Sequence, residues 1–158
     1  RLLLQIAVTL HACGKFISMK NSNECGYTLI MSTEIIGLSH LEREIIANVV
    51  RYNIRDFDYD MMQLETEAGQ DLAGVSDRTA ITILIAKLTA ILRLANSMDK
   101  THKSKLIDCR MAVREGQLVI TTGYKGDLAL ESASFEQKAA FFEEIFGIRP
   151  VLKQKRRV

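Results

Sequence analysis

Two periodicities divide this chain. From Leu2 to about Ser97 apolar residues recur at helical spacing, and from Ile107 to Thr122 they alternate with polar ones as strands do. Leu2, Leu3, Leu4, Ile6, Ala7, Val8 and Leu10 are apolar on every side, which predicts a helix surrounded by others. Gly14 ends that helix, because glycine takes a positive φ without steric cost. A second helix is expected from roughly Cys25 to Ile36, with Cys25, Leu29, Ser32, Thr33 and Ile36 on one face and Gly37 just past its end. Ser39 and Glu42 have the spacing of a capping box, each side chain satisfying a free backbone N–H of the other. The helix they open buries Leu41, Ile45, Ile46, Val49 and Val50 in one stripe. Ile54 to Val75 is irregular and acidic, with Met61, Met62 and Leu64 anchoring a short helix. Ser76 then caps the longest helix, Asp77 to about Ser97, whose Ala80, Ile81, Leu84, Leu88, Ile91, Leu92 and Ala95 keep the period.

Beyond Lys100 the period is two. Ile107, Cys109, Met111 and Val113 alternate with Asp108, Arg110 and Ala112, Glu115-Gly116 turns the chain, and Leu118, Ile120 and Thr122 continue on a second strand. The run GYKGD is another turn, before a short strand from Leu128 to Glu131. Ser134 and Gln137 form a second capping box, opening a helix with Phe135, Ala139, Phe142 and Phe146 on one face and Gly147 at its end. Ile148 to Lys153 makes a last strand, which Pro150 confines to a sheet edge. The pattern is α+β: a mainly helical domain over 1–103, then a small antiparallel-sheet unit with one packed helix over 104–158.

Composition changes this picture little. The 158 residues suffice for one core plus a small appended unit, and 47% hydrophobic with 25% charged residues is ordinary for a globular protein. The net charge of +2 does not identify a partner. Asp56 to Asp71 holds six acids and no base, and Arg149 to Val158 five bases and no acid, ordinarily a solvated loop and a frayed tail. Cys13, Cys25 and Cys109 are odd in number and lack a C-x-x-C pair, which argues against a disulfide framework or zinc knuckle and fits the cytoplasm. RLLLQIAVTL is far short of the about 20 residues that span a bilayer and lacks a small-residue cleavage site. A chain that starts inside a helix without methionine reads as a fragment.

The pattern LHxxGKFIS from Leu10, then YxLI from Tyr27, then GLSxxEREIIAxxxRY from Gly37 to Tyr52, resembles the C-terminal half of the exopolyphosphatase / guanosine pentaphosphate phosphohydrolase (Ppx/GppA) family. LRLANSMDKTH, Leu92 to His102, is similar to that family's LRLA-D-x-LD-x-S segment. The resemblance implies a degenerate HD-like helical domain, lacking its first helices, followed by the small α+β unit. It implies an accessory role in a cytoplasmic hydrolase, serving substrate binding, dimerisation or regulation. Catalysis, with any Mg, then belongs to actin-like N-terminal domains of the same chain, absent here. The implied partners are those domains, a second copy, and polyphosphate or guanosine pentaphosphate, with no membrane. The alternative is a free-standing degenerate HD module for interaction or nucleotide sensing.

An HD site needs a histidine, a His-Asp pair and a distant Asp around metal ions. Here His11 remains, but Ala12 stands where the paired Asp belongs, Cys25 and Asn53 replace histidines, and Asn96 replaces the distal Asp. The fragment is therefore expected to hold no metal or cofactor and to be inactive alone, with His11 a core histidine bonded to backbone. Asp56, Asp58, Asp60 and Glu67 match a calcium loop, but Met61 sits where that loop needs glycine. Gly14-Lys15 lacks the rest of a phosphate loop. Lys15, Lys20, Arg51 and Arg55 are the candidate polyanion surface.

Overall fold

The computed structural model describes residues 1–59, 62, 64 and 74–155. The helices are α1 (Leu2–Leu10), α2 (Ser22–Ser32), α3 (His40–Tyr52), α4 (Gly74–Met98) and α5 (Ala129–Phe146), with a short 3-10 helix at Cys13–Phe16. The strands are β1 (Cys109–Arg114), β2 (Gln117–Thr122) and β3 (Arg149–Gln154). The fold is α+β, a helical part and a small sheet. Packing separates two compact units, Arg1–Leu92 and Arg93 onward, so the division falls inside α4, ahead of the boundary expected at Lys103.

The first unit is built around α3. Every residue from Glu44 to Val50 is buried, and Ile45, Ile46, Val49 and Val50 meet Ala7 of α1, Ile30 of α2, and Ile85 and Leu92 of α4. Each such aliphatic side chain stabilises by about 1.5–3 kcal/mol when fully buried. The expected capping box forms: Glu42 N–H donates to Ser39 Oγ at 3.2 Å, and Ser39 N–H to Glu42 Oε2 at 2.9 Å. The Ser39 N–H, and the Ser39 hydroxyl that donates to the same Oε2 at 3.0 Å, hold the Glu42 carboxyl below its ordinary range.

Three expectations for this unit need correction. α1 is not surrounded: Leu3, Ile6, Ala7 and Leu10 make one packed face, and Leu2 and Val8 are 58% and 46% exposed. Gly14 does not take a positive φ. A Cβ there would lie 1.9 Å from the Ser22 carbonyl oxygen and 2.5 Å from Gly26 N, so this glycine is required by the close approach of the 3-10 helix to α2. α2 stops at Ser32, where Thr33 turns to extended backbone (φ −101, ψ 131) and the Ser32 and Thr33 hydroxyls donate to the Thr28 and Leu29 carbonyls at 2.7 and 2.6 Å. Gly37 (φ 88) sits in a separate turn closed by Leu38 N–H on the Ile35 carbonyl.

α4 begins two residues before Ser76, which is therefore inside the helix and not its cap. Its segment Arg78–Met98 is long and apolar enough to cross a bilayer by length and composition, with mean hydropathy 1.5. Ile85 and Leu92 of that segment are spent on the core. Met62 and Leu64 pack on the core, while Asp60, Met61 and Glu67, with most of the expected short helix and calcium template, lie outside the described residues.

In the second unit the β1–β2 hairpin pairs Cys109 with Thr122 through Arg114 with Gln117. Glu115 and Gly116, both at positive φ (48° and 74°), make the tight turn that suits right-twisted strands. The sheet order is β1-β2-β3, but it is mixed and not antiparallel, because β3 runs parallel to β2. The cause lies at Leu128–Glu131, which opens α5 instead of forming a strand, and α5 becomes the crossover that a parallel pair requires. Asp127 Oδ1 accepts from Ala129 N–H at 2.8 Å at that start. Ser134 is thus already inside α5, and Ser134 and Gln137 do not open it. Phe135, Ala139 and Phe142 are buried, Gly147 ends the helix at φ 68, and Pro150 sits on an edge strand as expected.

Candidate functional site

The degenerate ligand positions fall on several elements. His11 follows α1, half-buried, and its Nδ1–H donates to the Val8 carbonyl at 2.6 Å. Ala12 precedes the 3-10 helix, Cys25 lies in α2, and buried Asn53 follows α3 with its N–H on the Val50 carbonyl at 3.4 Å. Asn96 belongs to α4 in the second unit. Ala12 offers no donor atom and the two asparagines only neutral amides, a poor set for a divalent ion. No three His, Cys, Asp or Glu side chains gather among the described residues. Burial pushes the nearby Cys13 thiol up, away from the reactive thiolate.

The candidate basic surface contains a carboxylate the sequence reading missed. Arg51, in the last turn of α3, donates through Nε to Glu24 Oε1 at 3.0 Å, and Arg55 donates through Nη1 to the same oxygen at 3.0 Å. The Arg51 guanidinium also lies over the Tyr27 ring, 4.9 Å from its centroid. Glu24 occupies the first turn of α2, where the helix dipole favours an acid, and Tyr27 is one turn further on. Burial pushes the Glu24 carboxyl up, but the hydrogen bonds and charges of Arg51 and Arg55 outweigh it and leave the group below its ordinary range. The dipole rule and the spacing from Glu24 to Tyr27 were visible in NSNECGY; the tertiary approach of α3 was not. Lys15 and Lys20 are exposed on the 3-10 helix and the loop before α2. The structure thus joins Arg51 to Arg55 through an acid.

A second polar cluster sits in the other unit, where LRLANSMDKTH ends. Glu131, in the first turn of α5, is fully buried. Its Oε1 accepts from the Thr101 hydroxyl, and its Oε2 from Lys105 Nζ at 3.1 Å. Lys105 Nζ also donates to the Asp127 carbonyl at 2.9 Å. The Thr101 hydroxyl, opposed by burial and helped by Lys105, holds Glu131 at about 2. The loop that delivers Thr101 and Lys105 is shaped by Asp99, whose Oδ1 accepts from Ser104 N–H at 2.8 Å and whose carbonyl accepts from His102 N–H at 3.0 Å. His102 and Ser104 take positive φ (53° and 50°), a cost these bonds offset. No apolar period marks such a loop, and the sequence reading left it unassigned.

The arrangement in both clusters is that of charge ties between elements, not of a nucleophile with its base. The family model for Ppx/GppA phosphatase, domain III, matches residues 1–139, the whole first unit and the second as far as α5. No curated protein matches the chain. With the match extending over most of its length, the chain belongs to the Ppx/GppA phosphatase family, as a domain III.

Proposed function

We propose that this domain is the accessory part of a cytoplasmic exopolyphosphatase-like hydrolase, aiding substrate binding, dimerisation or regulation while other domains of the same chain hydrolyse polyphosphate or guanosine pentaphosphate. The observation that carries the reading is the family match over residues 1–139. Its chemistry agrees: His11 is engaged with a backbone carbonyl, and the positions that would complete a metal site are Ala12, Cys25, Asn53 and Asn96. In this reading Lys15, Lys20, Arg51 and Arg55 face the anionic substrate, with Glu24 as a competitor that a phosphate chain must displace.

The upstream reading frame tests the accessory role. An actin-like ATPase half preceding Arg1 supports it, and a start codon immediately before Arg1 contradicts it. Elemental analysis of the gently purified chain adds a chemical check, expected to find no stoichiometric transition metal or Mg. One equivalent of metal lost on His11→Ala would overturn the accessory reading at this site.

A further inference from the structure

We infer that the free edge of β1 pairs with the same edge of a second copy of the chain, antiparallel about Met111, so that two three-stranded sheets become one. This rests on the dimerisation named in the reading above and commits it to one surface and one register. The hairpin leaves the edge open. Around a two-residue turn Arg114 and Gln117 exchange both backbone bonds, so the N–H and C=O groups of Arg110, Ala112 and Arg114 point at β2. Those of Cys109, Met111 and Val113 point away from it, and no described backbone group meets them. The same alternation shows on the far side of β2, where the Thr122 carbonyl, opposite Cys109, turns to β3 and accepts from Lys155 N–H at 3.0 Å.

Natural sheets blunt open edges with proline, bulges or covering elements. β3, the other edge, carries Pro150, whereas β1 runs six residues in unbroken register without proline. Its apolar side chains are uncovered as well. Met111 and Val113 stand on the face of buried Ile120, but α5 packs over β3 and leaves them 59% and 65% exposed. A notch of about 290 Å³, lined by Ala95, Met98, Leu106 and Ile107, extends this apolar surface from Met111. Charge complementarity selects a second copy and its register. Centring the pair on Met111 engages all three outward residues, Met111 with itself and Cys109 with Val113 of the copy. It also sets Arg114 opposite Asp108 of the copy, which immediately precedes β1, and Arg110 opposite Ala112. Centring on Ala112 would set Arg110 against Arg114, and centring on Arg110 would set that residue against itself. Like charges directly opposite destabilise a strand pair and unlike charges stabilise it.

The test is sedimentation velocity of the 158-residue chain from micromolar to millimolar concentration, where a concentration-dependent dimer is expected. Met111→Lys, which sets two ammonium groups face to face in place of two thioethers, should raise the dimer dissociation constant at least about tenfold. Circular dichroism should stay unchanged, because the residue is exposed. Arg114→Asp and Asp108→Arg should each weaken the dimer, and the two together should restore it. Cysteine cross-linking by oxidised glutathione reads the register in a Cys13→Ser/Cys25→Ser/Cys109→Ser background. Met111→Cys should give a covalent dimer, since facing residues lie about 5.5 Å apart between Cα atoms, and Val113→Cys should not. A chain that stays monomeric overturns the inference and leaves the edge to another occupant, a domain of the same chain or an extended peptide. A dimer that Met111→Lys leaves intact also overturns it, moving dimerisation to another surface while the accessory reading stands.

Discussion

Glu24 and Glu131 each gather two donors from distant parts of the chain, yet the surroundings give them different weight. Glu24 is 39% exposed in its side chain and meets two arginines that are 27% and 46% exposed. Glu131 is fully buried and its lysine partner only 13% exposed. Water can replace the partners of the first carboxylate and cannot reach the second. Loss of a buried partner leaves the other charge uncompensated, whereas an exposed ion pair contributes little. The first cluster is therefore open to competition from solvent, and the second is a fixed tie within its unit.

The largest effect belongs to Glu131. Glu131→Ala should lower the thermal midpoint by roughly 5–10 °C, because Lys105, only 13% exposed, then stays without its carboxylate. Glu131→Gln should lose less, since an amide oxygen can still accept from Thr101. The same tie carries a pH signature. Glu131 titrates at about 2 when folded against an ordinary value of 4.5, so its stabilisation is complete above about 4.5 and is lost as pH falls through about 2. Urea midpoints of the wild type and Glu131→Gln should therefore differ by a constant amount at neutral pH and converge below pH 4.5. A gap that persists down to pH 2 would remove the charge from the explanation.

Gly14→Ala comes next. Its Cβ would collide with backbone atoms of α2, and overpacking of this kind costs typically about 1–3 kcal/mol. Chemical denaturation reads it directly, and an unchanged midpoint would contradict the close approach. Glu24→Gln should be smaller, about 0.2–1 kcal/mol and weaker still at high salt. Its informative readout is binding. Released from Glu24, Arg51 and Arg55 should take polyphosphate more tightly, while Arg51→Glu/Arg55→Glu should weaken it. Weaker binding after Glu24→Gln would mean that the carboxylate orients the arginines and does not compete with the substrate.

How much of this was legible beforehand follows from the range of each interaction. The α3 stripe and its capping box depend on spacing within a few residues, and both form where the sequence places them. The β1–β2 hairpin is equally local, set by Glu115-Gly116. The direction of β3 was misread because it depends on whether Leu128–Glu131 is strand or helix. It is helix from Ala129, whose N–H donates to Asp127 Oδ1. The end of α2 and the packed face of α1 were misjudged for a related reason: apolar period says which residues tolerate burial, not which of them find a neighbour. The charged ties were illegible for a different reason. Glu24 and Arg51 are 27 residues apart, and Thr101 and Glu131 are 30, distances over which polar spacing carries no periodic signal.

The accessory role is tested most directly by incubating the purified 158-residue chain with long-chain polyphosphate and Mg²⁺ and measuring released orthophosphate. The expected result is no release above the protein-free control, with His11→Ala indistinguishable from the wild type. Release that depends on His11 would contradict the account and make this domain a hydrolase in its own right.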